Sequence, residues 1–208
     1  MTRFEGASVG FYGKVRTHGD FVGRRLPSEF VARWDTWLQR GLLKARERLG
    51  DDWLNEFLGM PIWCFAMKPG VIDEAAYAGM LMPGIDAVGR YFPFMIGRST
   101  EGADLDNWLC GSARWYEQAA ELALSTLKAR FSLTEFEAGL EAGLEAGLDE
   151  LDVGASSLGW QDTFKPFLHE GDGTSVWWTV SGEHAPSALH WHEGALDAAL
   201  FLHLLDAG

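Results

Sequence analysis

Hydrophobic residues between positions 27 and 50 recur at helical spacing. Phe30, Trp34, Trp37, Leu38, Leu42, Ala45 and Leu49 gather on one stripe, with Arg33, Arg40, Lys44 and Arg48 largely off it, the pattern of a helix with one buried face. Pro27 suits the first turn and Gly50 the stop, so a helix is expected over 27–49. Around it the apolar runs are shorter. Residues 8–12 read as a strand, and 13–23 as a loop in which Gly13, Gly19 and Gly23 allow positive φ. Asp51 and Asp52 can cap a short helix through Leu58, which Pro61 ends. Strands follow at 62–67, 77–82 and 91–96, the last with a Pro93 that suits an edge or an irregular pairing.

Downstream, Trp108, Leu109, Trp115, Tyr116, Ala119, Leu122, Ala123 and Leu127 form the inward stripe of a long helix from 104 or 106 to about 130. Ser132 followed by Glu135 is a capping-box pattern for another helix. That helix carries Glu-Ala-Gly-Leu three times over 137–148. Leu140, Leu144 and Leu148 share a stripe, but Gly139, Gly143 and Gly147 each cost about 1 kcal/mol against alanine, so an exposed, weak helix born of replication slippage is expected. Residues 153–159 read as a loop, 175–181 as a strand, 189–192 as a short strand and 195–205 as a last helix. On a strand, Trp177 and Trp178 must face opposite sides. Five or six strands among four helices imply one layered α/β domain over 1–208, and the hairpin-like spacing at 62–96 makes part of its sheet antiparallel.

Composition changes this picture little. The 208 residues, 47% of them hydrophobic, suffice for one core, and ten Trp and thirteen Phe favour packing and contact over catalysis. Charge says more. The net −13 disfavours nucleic acid and anionic membranes, yet residues 1–50 hold ten Lys or Arg against five Asp or Glu, while 51–208 hold seven against twenty-five. A basic patch near the N-terminus is therefore possible. Cys64 and Cys110 sit in apolar contexts behind no signal peptide, so they are expected to be reduced core thiols of a cytoplasmic protein. No run approaches the ~20 apolar residues that span a bilayer.

Catalytic templates fit poorly. A phosphate loop at Gly10-Phe11-Tyr12-Gly13-Lys14-Val15 would need glycine at Ser8 and a hydroxyl at Val15. No Gly-x-Ser-x-Gly occurs, and no cysteine has a basic setting. His190, His192, Glu193 and His203 are the best metal candidates, His190 and His192 sharing a strand face, but no His-Glu-x-x-His completes them. Arg16, His18, Gly19, Asp20, Arg24 and Arg25 concentrate guanidinium groups, an imidazole and a carboxylate in ten residues. They form either an anion- or partner-contacting surface or a loop whose Asp20 serves its own amides and arginines.

Gly10-Phe11-Tyr12-Gly13-Lys14, Gly19-Asp20-Phe21, Leu26-Pro27, Trp34-Asp35, Trp37-Leu38-Gln39, Leu49-Gly50 and Trp53-Leu54 run in order along the chain, followed by Pro61-Ile62-Trp63, Pro69-Gly70, Leu81-Met82-Pro83, Asp86, Val88-Gly89-Arg90-Tyr91-Phe92-Pro93 and Val176-Trp177-Trp178-Thr179. In these residues the chain resembles the TagF (ImpM) family of type VI secretion-associated proteins. The resemblance is weak over 100–170. It implies a cytoplasmic three-layer α-β-α sandwich with a mixed, partly antiparallel sheet. It further implies a non-catalytic accessory protein, without metal or cofactor, that restrains secretion post-translationally through a forkhead-associated scaffold protein. Lys14, Gly19, Asp20, Gly89 and Arg90 are the family-matching candidates for the partner-binding surface, with Arg16, His18, Arg24 and Arg25 as additions peculiar to this chain. Gly89-Arg90-Tyr91 reads equally well as a turn with Arg90 paired to Asp86. The alternatives are a hydrolase, metal-dependent or other, using His190 and His192, and a structural subunit of the apparatus.

Overall fold

The computed structural model describes residues 9–100, 102–145, 158–179 and 188–206. Within them seven strands build one sheet: Val9–Gly13 (β1), Val22–Arg24 (β2), Trp63–Met67 (β3), Ala76–Met82 (β4), Phe94–Thr100 (β5), Thr174–Thr179 (β6) and Leu189–Glu193 (β7). Their order is β2-β1-β5-β4-β3-β6-β7. Every pairing among the described residues is antiparallel, which corrects the expected mixed sheet. Parallel neighbours need a crossover between adjacent strands. Here the helical connections carry the chain from β2 past β1 to β3, and from β5 to β6 on the far side of β3, so each arriving strand meets a neighbour running the other way. Nor is β5 an edge. It lies between β1 and β4, and Pro93 stands just ahead of it, where no ladder N–H is lost.

The predicted stripe forms helix α1, Ser28–Leu49, with Phe30, Trp34, Trp37, Leu38, Leu42 and Ala45 buried and Gly50 at φ 55 closing it. Helix α2, Trp53–Gly59, follows a 3-10 turn at Gly50–Asp52, and Asp52 makes no side-chain capping bond to it. The long helix expected over 104–130 is two, α3 (Gly102–Gly111) and α4 (Ala113–Leu124). At the break Ser112 Oγ donates to the Leu109 carbonyl. Helix α5, Leu133–Gly139, is capped as its sequence suggests, Ser132 Oγ accepting from the Glu135 amide at 3.3 Å. It continues into a π-helical stretch, Leu140–Glu145. Leu140 and Leu144 are buried there, so this part of the repeat is core rather than an exposed weak helix. Leu148 and most of the expected 153–159 loop lie outside the described residues; Leu158 and Gly159 open an unexpected helix, α6, Leu158–Leu168. Ala198–Asp206 forms α7.

Alternation along the strands divides the interior in two. Ala76, Ala78, Met80 and Met82 of β4 pack with Val9, Phe11 and the apolar faces of α3, α4, α5 and α6. Tyr77 and Leu81 join α1, α2 and α7 in the second cluster. Trp178 belongs to the first and Trp177 to the second, as their adjacency on β6 requires. Where α1 and α7 meet, Gly41 lets the ring of Phe201 approach so closely that a Cβ would stand 2.4 Å from its Cγ.

Candidate partner-binding surface

Strand β1 ends at Gly13, φ 144, where a Cβ would meet the Pro93 carbonyl at 2.3 Å. Glycine is what lets residues 14–21 pass against 83–93. Lys14 thereby reaches Asp86: Nζ donates to Oδ2 at 2.5 Å, with both side chains out of water. Asp86 also accepts from the Val88 amide (3.0 Å), the Arg90 amide (2.8 Å) and Arg90 Nε (2.7 Å). Burial by itself raises the Asp86 carboxyl, but Lys14 and these donors outweigh it and hold the group well below the usual carboxylate range. The Arg90 guanidinium donates on to the Gly19 carbonyl, and the Ala87 amide to the His18 carbonyl at 2.9 Å. One carboxylate thus ties two loops together and aims their tips outward, with Val88 69% exposed at the end.

The nine candidates do not form one patch. Lys14 is an internal cation, 5% exposed, under the Phe21 ring. Gly19, Gly89 and Arg90 sit around Asp86, Gly89 at φ 83, and Asp20 Oδ1 accepts from the Phe21 amide. Arg16 and His18 also touch the segment that runs from α4 to α5. The Arg16 amide donates to the Thr126 carbonyl, and the His18 ring meets Phe131 edge-on. Arg24 and Arg25 face Glu137 and Glu141, the former at 3.6 Å. The expected Arg90–Asp86 pair is present, and so it is a turn, though it leads into an interior strand. The two glutamates were not anticipated from sequence. Their signal is the four-residue step of the repeat, which puts both on one helix face.

Phe21 joins the hub to an open groove. Its ring stacks on Tyr12 (5.5 Å between centroids) and meets Phe92 edge-on (4.8 Å). Beside it the groove, about 630 Å³, has residues 21–26 on one wall and Ser28, Val31, Ala32 and Asp35 of α1 on the other. Tyr12 Oη donates to Asp35 Oδ1 at 2.8 Å, and burial followed by this carboxylate pushes the phenol up.

The histidine region is arranged differently. His190 on β7 stacks on His203 of α7, ring centroids 3.7 Å apart, and His192 Nε2 lies 3.1 Å from the Ala195 carbonyl. Burial, then His203 and His192, push His190 below its ordinary value. Among the described residues no three His, Cys, Asp or Glu converge as a metal site would need, and no helix is long and apolar enough to cross a membrane. Cys64 is a buried free thiol pushed up by burial; the Cys110 side chain lies outside the described residues.

Residues 10–143 match the model of the TagF N-terminal domain, type VI secretion system-associated. The chain belongs to this family. A crystal structure of PA0076 from Pseudomonas aeruginosa PAO1 is similar, with 36% identity and a TM-score of 0.78 over 95% of this chain and 94% of that one. No curated protein matches. The TagF match runs from β1 into the π-helical stretch and so takes in every loop candidate from Lys14 to Arg90; β6, β7 and α7 lie beyond it.

Proposed function

We propose that this TagF-family chain is a non-catalytic accessory protein of the type VI secretion system. In this reading it acts in the cytoplasm as a post-translational negative regulator by binding a forkhead-associated scaffold component. The observation that carries the reading is the family match, which spans the whole loop surface. The geometry supports it. Two loops held by Asp86 present Val88 and Phe21 to solvent on a fixed frame, an arrangement suited to contact. The one described thiol is buried and held protonated, so it is a poor nucleophile.

The test is capture. The immobilised protein is exposed to lysate of its own cells, and retained proteins are identified by mass spectrometry. A forkhead-associated secretion component should be retained, and a Val88→Glu variant with unchanged melting temperature should retain less. Retention of no secretion protein would sink the reading.

A further inference from the structure

We infer that the groove between β2 and the first turns of α1 receives an extended, acidic and apolar segment of a partner protein, which adds to β2 as a further strand. The inference rests on the reading of the chain as a binding protein. Three observations carry it. First, β2 is an edge of the sheet among the described residues, so no described strand lies beside its outer backbone groups. The Gly23 carbonyl accepts instead from Arg24 Nη1, at 2.8 Å, a cap that a side-chain rotation removes.

Second, the groove lies between that strand and a helix, where a strand added to β2 drops alternate side chains. Phe21, Leu26 and Val31 offer it apolar surface, and Ala32, exposed on α1, leaves space. Third, the charge of the groove selects its occupant. Arg24 and Arg25 stand on the rim, whereas the one carboxylate in the lining, Asp35, already accepts from Tyr12 and from Gln39. Arg25 is hydrogen-bonded to Glu141, whereas Arg24, its side chain 55% exposed, stands 3.6 Å from Glu137, and an exposed pair of that kind is weak and exchangeable. An incoming Glu or Asp can take the place of Glu137 on Arg24.

The probe is a capped Glu-Val-Glu-Val-Glu-Val peptide, titrated into the ¹⁵N-labelled 208-residue chain beside a Lys-Val counterpart. The largest amide shifts should fall on Val22–Arg24, Val31 and Ala32, and the lysine peptide should bind about tenfold more weakly or worse. Ala32→Glu puts a like charge into the groove from an exposed helix position, and should weaken the acidic peptide by a similar factor while the rest of the spectrum is unchanged. Gly23→Pro, which alters β2 itself, should do the same. Shifts centred elsewhere, equal affinity for the two peptides, or undiminished binding to Ala32→Glu would overturn the inference. Capture of a secretion component tests the functional reading separately. If the component is retained equally by wild type and Ala32→Glu, the regulator stands and this surface falls. If nothing is captured while the peptide still maps to β2, the surface stands and the regulator falls.

Discussion

Asp86 is the residue on which the loop surface turns. Four donors converge on its carboxylate, and the strongest test is to remove it. Asp86→Ala strands the Lys14 ammonium out of water and should cost about 3–5 kcal/mol, read as a fall in the urea midpoint. Arg90→Ala, at a side chain 59% exposed, should cost about 1 kcal/mol or less. The same carboxyl sets a pH dependence. Its native pKa is depressed, so its contribution is complete above the ordinary carboxylate value of about 4 and declines as the pH falls from there toward the native value. Urea midpoints measured from pH 6 down to 3 should drop more steeply in wild type than in Asp86→Ala. At this scale the sequence is half legible. Arg90 and Asp86 are four residues apart and pair within one turn, whereas the burial of Lys14 depends on a loop seventy-two residues away, which no local pattern reveals.

Elements follow local pattern where the pattern is long. Helix α1 was legible because seven apolar positions hold one stripe; β2 was not, because three residues that owe their strand geometry to Phe11, Tyr12 and Gly13 carry no period of their own. The stripe of α3 and α4 continues across Ser112, so the break is invisible in hydrophobicity, and α6, with Gly159 near its start and Pro166 inside it, goes unmarked beyond the expected 153–159 loop. The repeat misled in the opposite sense. Its glycines argued for weakness, yet Leu140 is fully buried against the sheet. Leu140→Ala should therefore cost about 2–5 kcal/mol in chemical denaturation, where an exposed helix would lose almost nothing. Gly41→Ala separates propensity from packing. Alanine improves an isolated helix by about 1 kcal/mol, but the Phe201 ring leaves no room for its methyl, and a net loss of about 1–2 kcal/mol is expected by the same measurement.

For the molecule as a whole, the division of charge matters more than its total. The first quarter of the chain is basic and the rest acidic, so the charge that an acidic segment meets depends on where it docks, and the end that carries Arg24 favours it. Its association rate should fall as salt is raised from 50 to about 300 mM. Arg24→Glu/Arg25→Glu should lower that rate while the melting temperature changes little, both observable in one set of biosensor and thermal measurements. The sheet order also governs the sequence of events at the ribosome. Strand β1 pairs Val9 with Arg98, so the first of the described strands has no interior neighbour among them until β5 has emerged from the exit tunnel. Trp37 of α1 waits longer still, since it packs on Trp177 and Phe201. Non-local closure of this kind is slow, and a nascent chain holding Trp37 short of these partners until β6 and α7 have emerged is a ready client for a chaperone.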